Sequence, residues 1–93
     1  MEMIEVEAFP PLENWAVVRL PGRTFPGVVM QGDSMSSLVL WLRDAETALG
    51  HADVNAATDL IALAIDTLEE VRRGYEAMLE ANDIGFPYAP ISD

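Results

Sequence analysis

The residues of this chain that could do chemistry are few and far apart. Ser34 follows Gly32-Asp33 at the end of an apolar run, and a hydroxyl there could attack an acyl carbon if a base removed its proton. The one histidine, His51, lies between Gly50 and Ala52, and no Asp-x-x-His pair supplies a base late in the chain. A zinc site needs about three or four ligands at matched spacing, and His51 with Asp53 does not provide them. Asp66, Glu69 and Glu70 could bind a cation or exchange protons only from a cleft that perturbs them, and their spacing places them on a wet helix face. No phosphate-binding glycine pattern is present. The sequence therefore predicts no catalytic residue, no cofactor and no metal. Asp33 and Ser34 are read instead as helix caps, whose oxygens accept the free N–H groups of a first turn.

Those caps imply the elements around them. Ile4-Glu-Val-Glu-Ala8 alternates apolar and acidic residues, which predicts a strand over about 3–8 with Ile4, Val6 and Ala8 on one face. Pro10 and Pro11 end it. Trp15-Ala-Val-Val-Arg-Leu20 predicts a second strand, and Pro21-Gly22 a turn. A third strand follows over about 25–31. After Ser34 the period changes from two to 3.6: Leu38, Leu42, Ala45 and Leu49 predict a helix over about 34–49, with Gly50 as a left-handed C-cap. Asp53 is read as the N-cap of a second helix over about 54–82, whose apolar stripe is Val54, Ala57, Ile61, Ile65 with Ala64, Leu68, Val71, Tyr75 and Met78. Gly74 inside that helix points to close packing. Phe86, Tyr88 and Ile91 predict a tail, 83–93, that packs back on the body or on a second subunit.

The chain has 93 residues, enough for a single domain over 1–93, and a chain of this size buries roughly 60% of the surface its unfolded form exposes. Its apolar fraction of 51% is high for so small a domain: either the core is generous or part of the apolar surface meets another subunit, and a homodimer is expected with Leu60, Leu63 or the Phe86-to-Tyr88 tail in the contact. Cysteine is absent, which excludes disulfides and thiolate metal sites, and the acidic start Met1-Glu-Met-Ile-Glu5 lacks the basic region of a secretory signal. A cytoplasmic, non-membrane protein is expected. Net charge is −11, with eleven of the sixteen acidic residues from Asp44 onward. That field repels a phosphate backbone and attracts a basic protein.

The segment Phe25-Pro-Gly27, followed by Gln31-Gly-Asp-Ser34 and by Ala45 to Leu49, is similar to a family of small uncharacterised bacterial proteins that carry a Phe-Pro-Gly-Val-Val-x-Gln-Gly-Asp-Ser core. More distantly it resembles the N-terminal domain of HicB-type antitoxins. That resemblance implies a hairpin-plus-helix body related to a partial RNase H-like fold, without catalysis, that masks a small basic toxin. Gly32-Asp-Ser-Met35 also resembles the nucleophile block of GDS-type esterases, which would need a far larger parallel sheet. The expected architecture is α+β: a three-stranded antiparallel sheet followed by two helices packed on one face. The expected function is non-enzymatic binding of protein, as an antitoxin-like or immunity-like neutraliser of a basic effector. A small enzyme or ligand-binding domain with an unidentified pocket, and a structural homodimer, are the alternatives.

Overall fold

The computed structural model describes residues 1–89, and Ile91 lies outside them. Three strands, β1 (Glu7–Phe9), β2 (Trp15–Arg19) and β3 (Gly27–Met30), precede two helices, α1 (Gly32–Gly50) and α2 (Val54–Ala81). The strands form one antiparallel sheet in the order β1-β2-β3, so β1 and β3 are its edges. The fold is α+β, a three-stranded antiparallel sheet followed by two helices packed together. The chain divides into two compact units. One gathers residues 1–30 with the chain from Arg73 onward; the other is Gln31–Arg72.

In the first unit, the turn between β2 and β3 follows from Pro21-Gly22. Proline fixes φ at the first central position, Gly22 takes φ +78° at the second, and the Arg23 N–H donates to the Leu20 carbonyl at 3.2 Å. Register then sorts the side chains. Phe9 pairs with Val17 and Val17 with Val28, while Ala8 pairs with Val18 and Ala16 with Val29. Because alternate residues face opposite sides, Phe9 and Val17 share the face that the second half of α2 covers with Tyr75 and Leu79. Val17 and Leu79 are 0% exposed. Trp15, Met78, Ile84 and Phe86 pack around this cluster. Ala8, Ala16, Val18 and Val29 face the other way, and Val29, on the β3 edge, is 54% exposed.

This register corrects the expected first strand. β1 spans Glu7–Phe9 rather than 3–8, and Ile4 and Val6 are exposed. The buried residue is Phe9, so the parity is the reverse of that expected, with Glu7 on the helix-covered side. Glu7 is satisfied there by Arg19, its cross-strand neighbour, whose Nε donates to Oε2 at 2.9 Å. One large aromatic ring outweighs two smaller aliphatic side chains in setting the face.

The second unit is a helix hairpin. α1 begins two residues earlier than expected. Its N-cap is Gln31, in extended conformation and without a side-chain cap bond, so Asp33 and Ser34 lie inside the first turn rather than at the cap. Asp33 still accepts the Ser34 N–H, at 2.9 Å, and its negative charge suits the helix N-terminus. Asp53 caps α2 as expected, its Oδ1 accepting the Ala56 N–H at 3.1 Å. The buried residues are Leu38 and Ala45 on α1, with Ala57, Ala64 and Val71 on α2. Of the expected α2 stripe, Ala57, Ala64 and Val71 are buried here, while Val54, Ile61, Ile65 and Leu68 are exposed.

Gly50 is not the left-handed cap. It belongs to α1, and Ala52 takes the positive φ, 59°. The Asp53 N–H donates to the Ala48 carbonyl at 2.8 Å and the Ala52 N–H to the Leu49 carbonyl at 3.0 Å, the two bonds of a Schellman motif. α2 ends the same way: Asp83 has φ 54°, and the Ile84 N–H reaches the Leu79 carbonyl at 2.9 Å. Ala52 bears the left-handed conformation with a Cβ that glycine would lack. Ala52→Gly is expected to stabilise the protein by about 0.5–1 kcal/mol, a few degrees in Tm, after the added freedom of the unfolded chain is subtracted. Thermal melts check this; an unchanged or lower Tm would refute the strain.

Candidate functional site

The first unit holds an open cleft of about 310 Å³ whose walls include Pro10, Pro11, Trp15, Gly74 and Met78, with Glu13 at its rim. The Pro10–Pro11 peptide bond is cis. β2 supplies Trp15, and α2 presents Gly74 to the indole. A Cβ on Gly74 would stand 2.5 Å from Trp15 Cζ2 and overlap Cη2 as well. The expectation of close packing at Gly74 is met, and the partner is Trp15. The lining is apolar apart from Glu13, so the cleft offers shape and an aromatic face, with no gathered set of proton donors.

Beside it, Tyr75 anchors α2 to the sheet unit. Its hydroxyl donates to the Pro26 carbonyl at 2.7 Å, a buried bond linking residues 49 positions apart. Burial pushes the Tyr75 phenol above its ordinary 10.0. The Tyr88 ring stacks near Tyr75 and Phe86, with centroids 6.4 and 6.1 Å apart, and its hydroxyl donates to Glu76 Oε2 at 2.8 Å. Phe86 and Tyr88 thus pack back on the body, one of the two places expected for them.

The sequence-derived chemical groups do not meet. Ser34 is in the first turn of α1 and His51 follows its last turn, so about 25 Å of helix separates them. No Ser–His pair forms. Among the described residues no three His, Asp or Glu side chains gather into a metal-binding group. Asp66 and Glu70 are exposed, whereas Glu69 is half-buried and receives Arg72 Nη2 at 2.6 Å. Of the residues expected at a dimer contact, Leu60 is half-buried in the hairpin and Leu63 is exposed on its outer side.

Sequence reasoning did not separate out a different set. Met35, Leu42 and Leu49 on α1, and Val54, Ile61 and Leu68 on α2, recur at seven-residue spacing and are exposed, with Val39 and Ile65 beside them. Each stripe lies about 40–60° around its helix from the buried line, in the same rotational sense. Since the two helices are antiparallel neighbours, equal rotations in the same sense bring both stripes to one side of the hairpin. The seven-residue repeat was the available signal.

A three-stranded sheet, a helix hairpin and an open apolar cleft define a small α+β protein. The model of a family of unknown function, DUF6959, matches residues 1–88, and the chain belongs to that family. Neither a curated protein nor a solved structure matches the chain.

Two expectations follow from this site. Gly74→Ala gains helix propensity worth about 1 kcal/mol but drives a methyl group into the indole, so a net loss of about 1–3 kcal/mol is expected in urea melts. A neutral or stabilising result would show that Trp15 moves aside freely. Tyr75→Phe leaves the Pro26 carbonyl without its donor and should cost about 1–3 kcal/mol at neutral pH. The native phenol holds its proton more tightly than the unfolded one. Its contribution is therefore constant below pH 10.0 and declines above it, as the unfolded tyrosine ionises first. Melts of wild type against Tyr75→Phe across pH 8–11 should converge as pH rises. Parallel curves would remove the linkage.

Proposed function

We propose that this chain is a non-enzymatic, cytoplasmic protein-binding domain that engages a basic protein, in the manner of an antitoxin or immunity protein. The observation that carries this reading is the one-sided charge: net −11, concentrated from Asp44 onward, with Asp59, Asp66 and Glu70 exposed along α2. Such a field accelerates encounter with a positive surface and opposes one with nucleic acid. Among the described residues no helix is long and apolar enough to cross a membrane, which agrees with action away from the bilayer. The Phe25-Pro-Gly27 and Gln31-to-Ser34 segments, which straddle β3 and open α1, support a partial RNase H-like, HicB-like body.

Affinity capture from the native cell, followed by kinetics on any basic protein recovered, tests the proposal. The association rate should fall about tenfold or more between 50 and 300 mM salt while the dissociation rate changes little. Tight binding of duplex DNA or RNA at 150 mM salt would contradict it. The cleft beside Trp15 favours a second reading, a small-ligand domain. Co-purification of a small molecule that is lost in Trp15→Ala, with no protein captured, would replace the first reading with that one.

A further inference from the structure

We propose that the apolar side of the α1–α2 hairpin binds a second copy of this chain, closing a two-fold symmetric four-helix bundle. In such a bundle each helix packs against two neighbours. One such seam is the buried line of each helix, Leu38 and Ala45 on α1 and Ala57, Ala64 and Val71 on α2. The second seam of each helix is open: Met35, Leu42 and Leu49 on α1, and Val54, Ile61 and Leu68 on α2, each set seven residues apart. Two apolar lines per helix, one filled and one exposed, both at the heptad repeat, form the pattern of a bundle helix with half its partners in place.

Area and symmetry select the occupant. Together with Val39 and Ile65, the two exposed lines make eight side chains, each between 37 and 60% exposed. They present on the order of 700 Å² per protomer, close to the roughly 800 Å² per partner of a stable interface. An isologous contact requires a surface complementary to itself. Here α1 and α2 carry lines of equal spacing in opposite directions, so α1 of one copy can lie along α2 of the other. The outer side of α2, with Asp59, Asp66 and Glu70, would stay in solvent and free for a basic partner. The contact therefore uses Leu42 and Ile61 rather than Leu60 and Leu63.

Sedimentation equilibrium at 1–200 µM tests this on the full chain. Wild type should return about twice 10.2 kDa, and because both copies are acidic, added salt should tighten the dimer, opposite in sign to binding of a basic effector. Leu42→Glu and Ile65→Glu, made separately, should each weaken the dimer about a hundredfold or more with the helical circular dichroism intact. Leu40→Glu and Leu63→Glu, exposed but off this face, should leave it unchanged. A wild-type monomer at 200 µM, or dissociation by the Leu40 or Leu63 variants while the Leu42 and Ile65 variants stay dimeric, would overturn the proposal. Should Leu42→Glu unfold, Ile65→Glu decides, and as the chain has no cysteine, Val39→Cys labelled with a fluorophore reports burial of the face on dilution.

Discussion

Everything in the sheet-bearing unit hangs on the contact between Val17 and the last turns of α2. A three-stranded sheet with strands of three to five residues cannot hold itself together in water. It persists because Phe9 and Val17 find Tyr75 and Leu79, and because the Tyr75 hydroxyl satisfies the Pro26 carbonyl where the chain enters β3. Leu79 has two duties. Its side chain is fully buried in the cluster, and its carbonyl accepts the Ile84 N–H that turns the chain out of the helix and returns Phe86 to the same cluster.

α2 is continuous for 28 residues and contributes to both units. In its first half the buried positions are the small Ala57 and Ala64; in its second half they are Val71, Tyr75 and Leu79, which supply volume. Gly74 receives the large ring of Trp15 by having no side chain of its own.

Much of this was legible in the sequence. Pro21-Gly22 specified its turn because proline and glycine leave the backbone few choices there. Asp53 specified its cap, and the change of period after Gln31 specified two helices, since tertiary packing did not contest either. What could not be read was decided by competition. Phe9 reversed the face of β1 because ring volume outweighs a regular alternation of smaller groups. Gly50 lost the left-handed position to Ala52 because the hairpin connection, not local propensity, set where α1 stops. On α2 the buried and exposed apolar lines are only about 40–60° apart, and hydrophobicity alone joins them into one stripe. The candidate site was legible only as absences of motif; the cleft needs Trp15 and Gly74, 59 positions apart, to be brought together by the fold.

The β3 edge carries a further meaning for the charge of the chain. Val28 and Val29 stand exposed on a strand whose outer backbone groups have no strand neighbour among the described residues, the arrangement by which sheets recruit foreign strands and grow into aggregates. Many proteins guard such an edge locally, with a lysine or a bulge. Here the strand Gly27–Met30 carries no charge of its own, and the safeguard is colloidal: molecules bearing −11 each keep their edges apart. Acidic residues far from β3 thereby act as its gatekeepers, and the protection fades as pH approaches the isoelectric point near 4.1, where an otherwise intact fold would meet its own copies edge to edge.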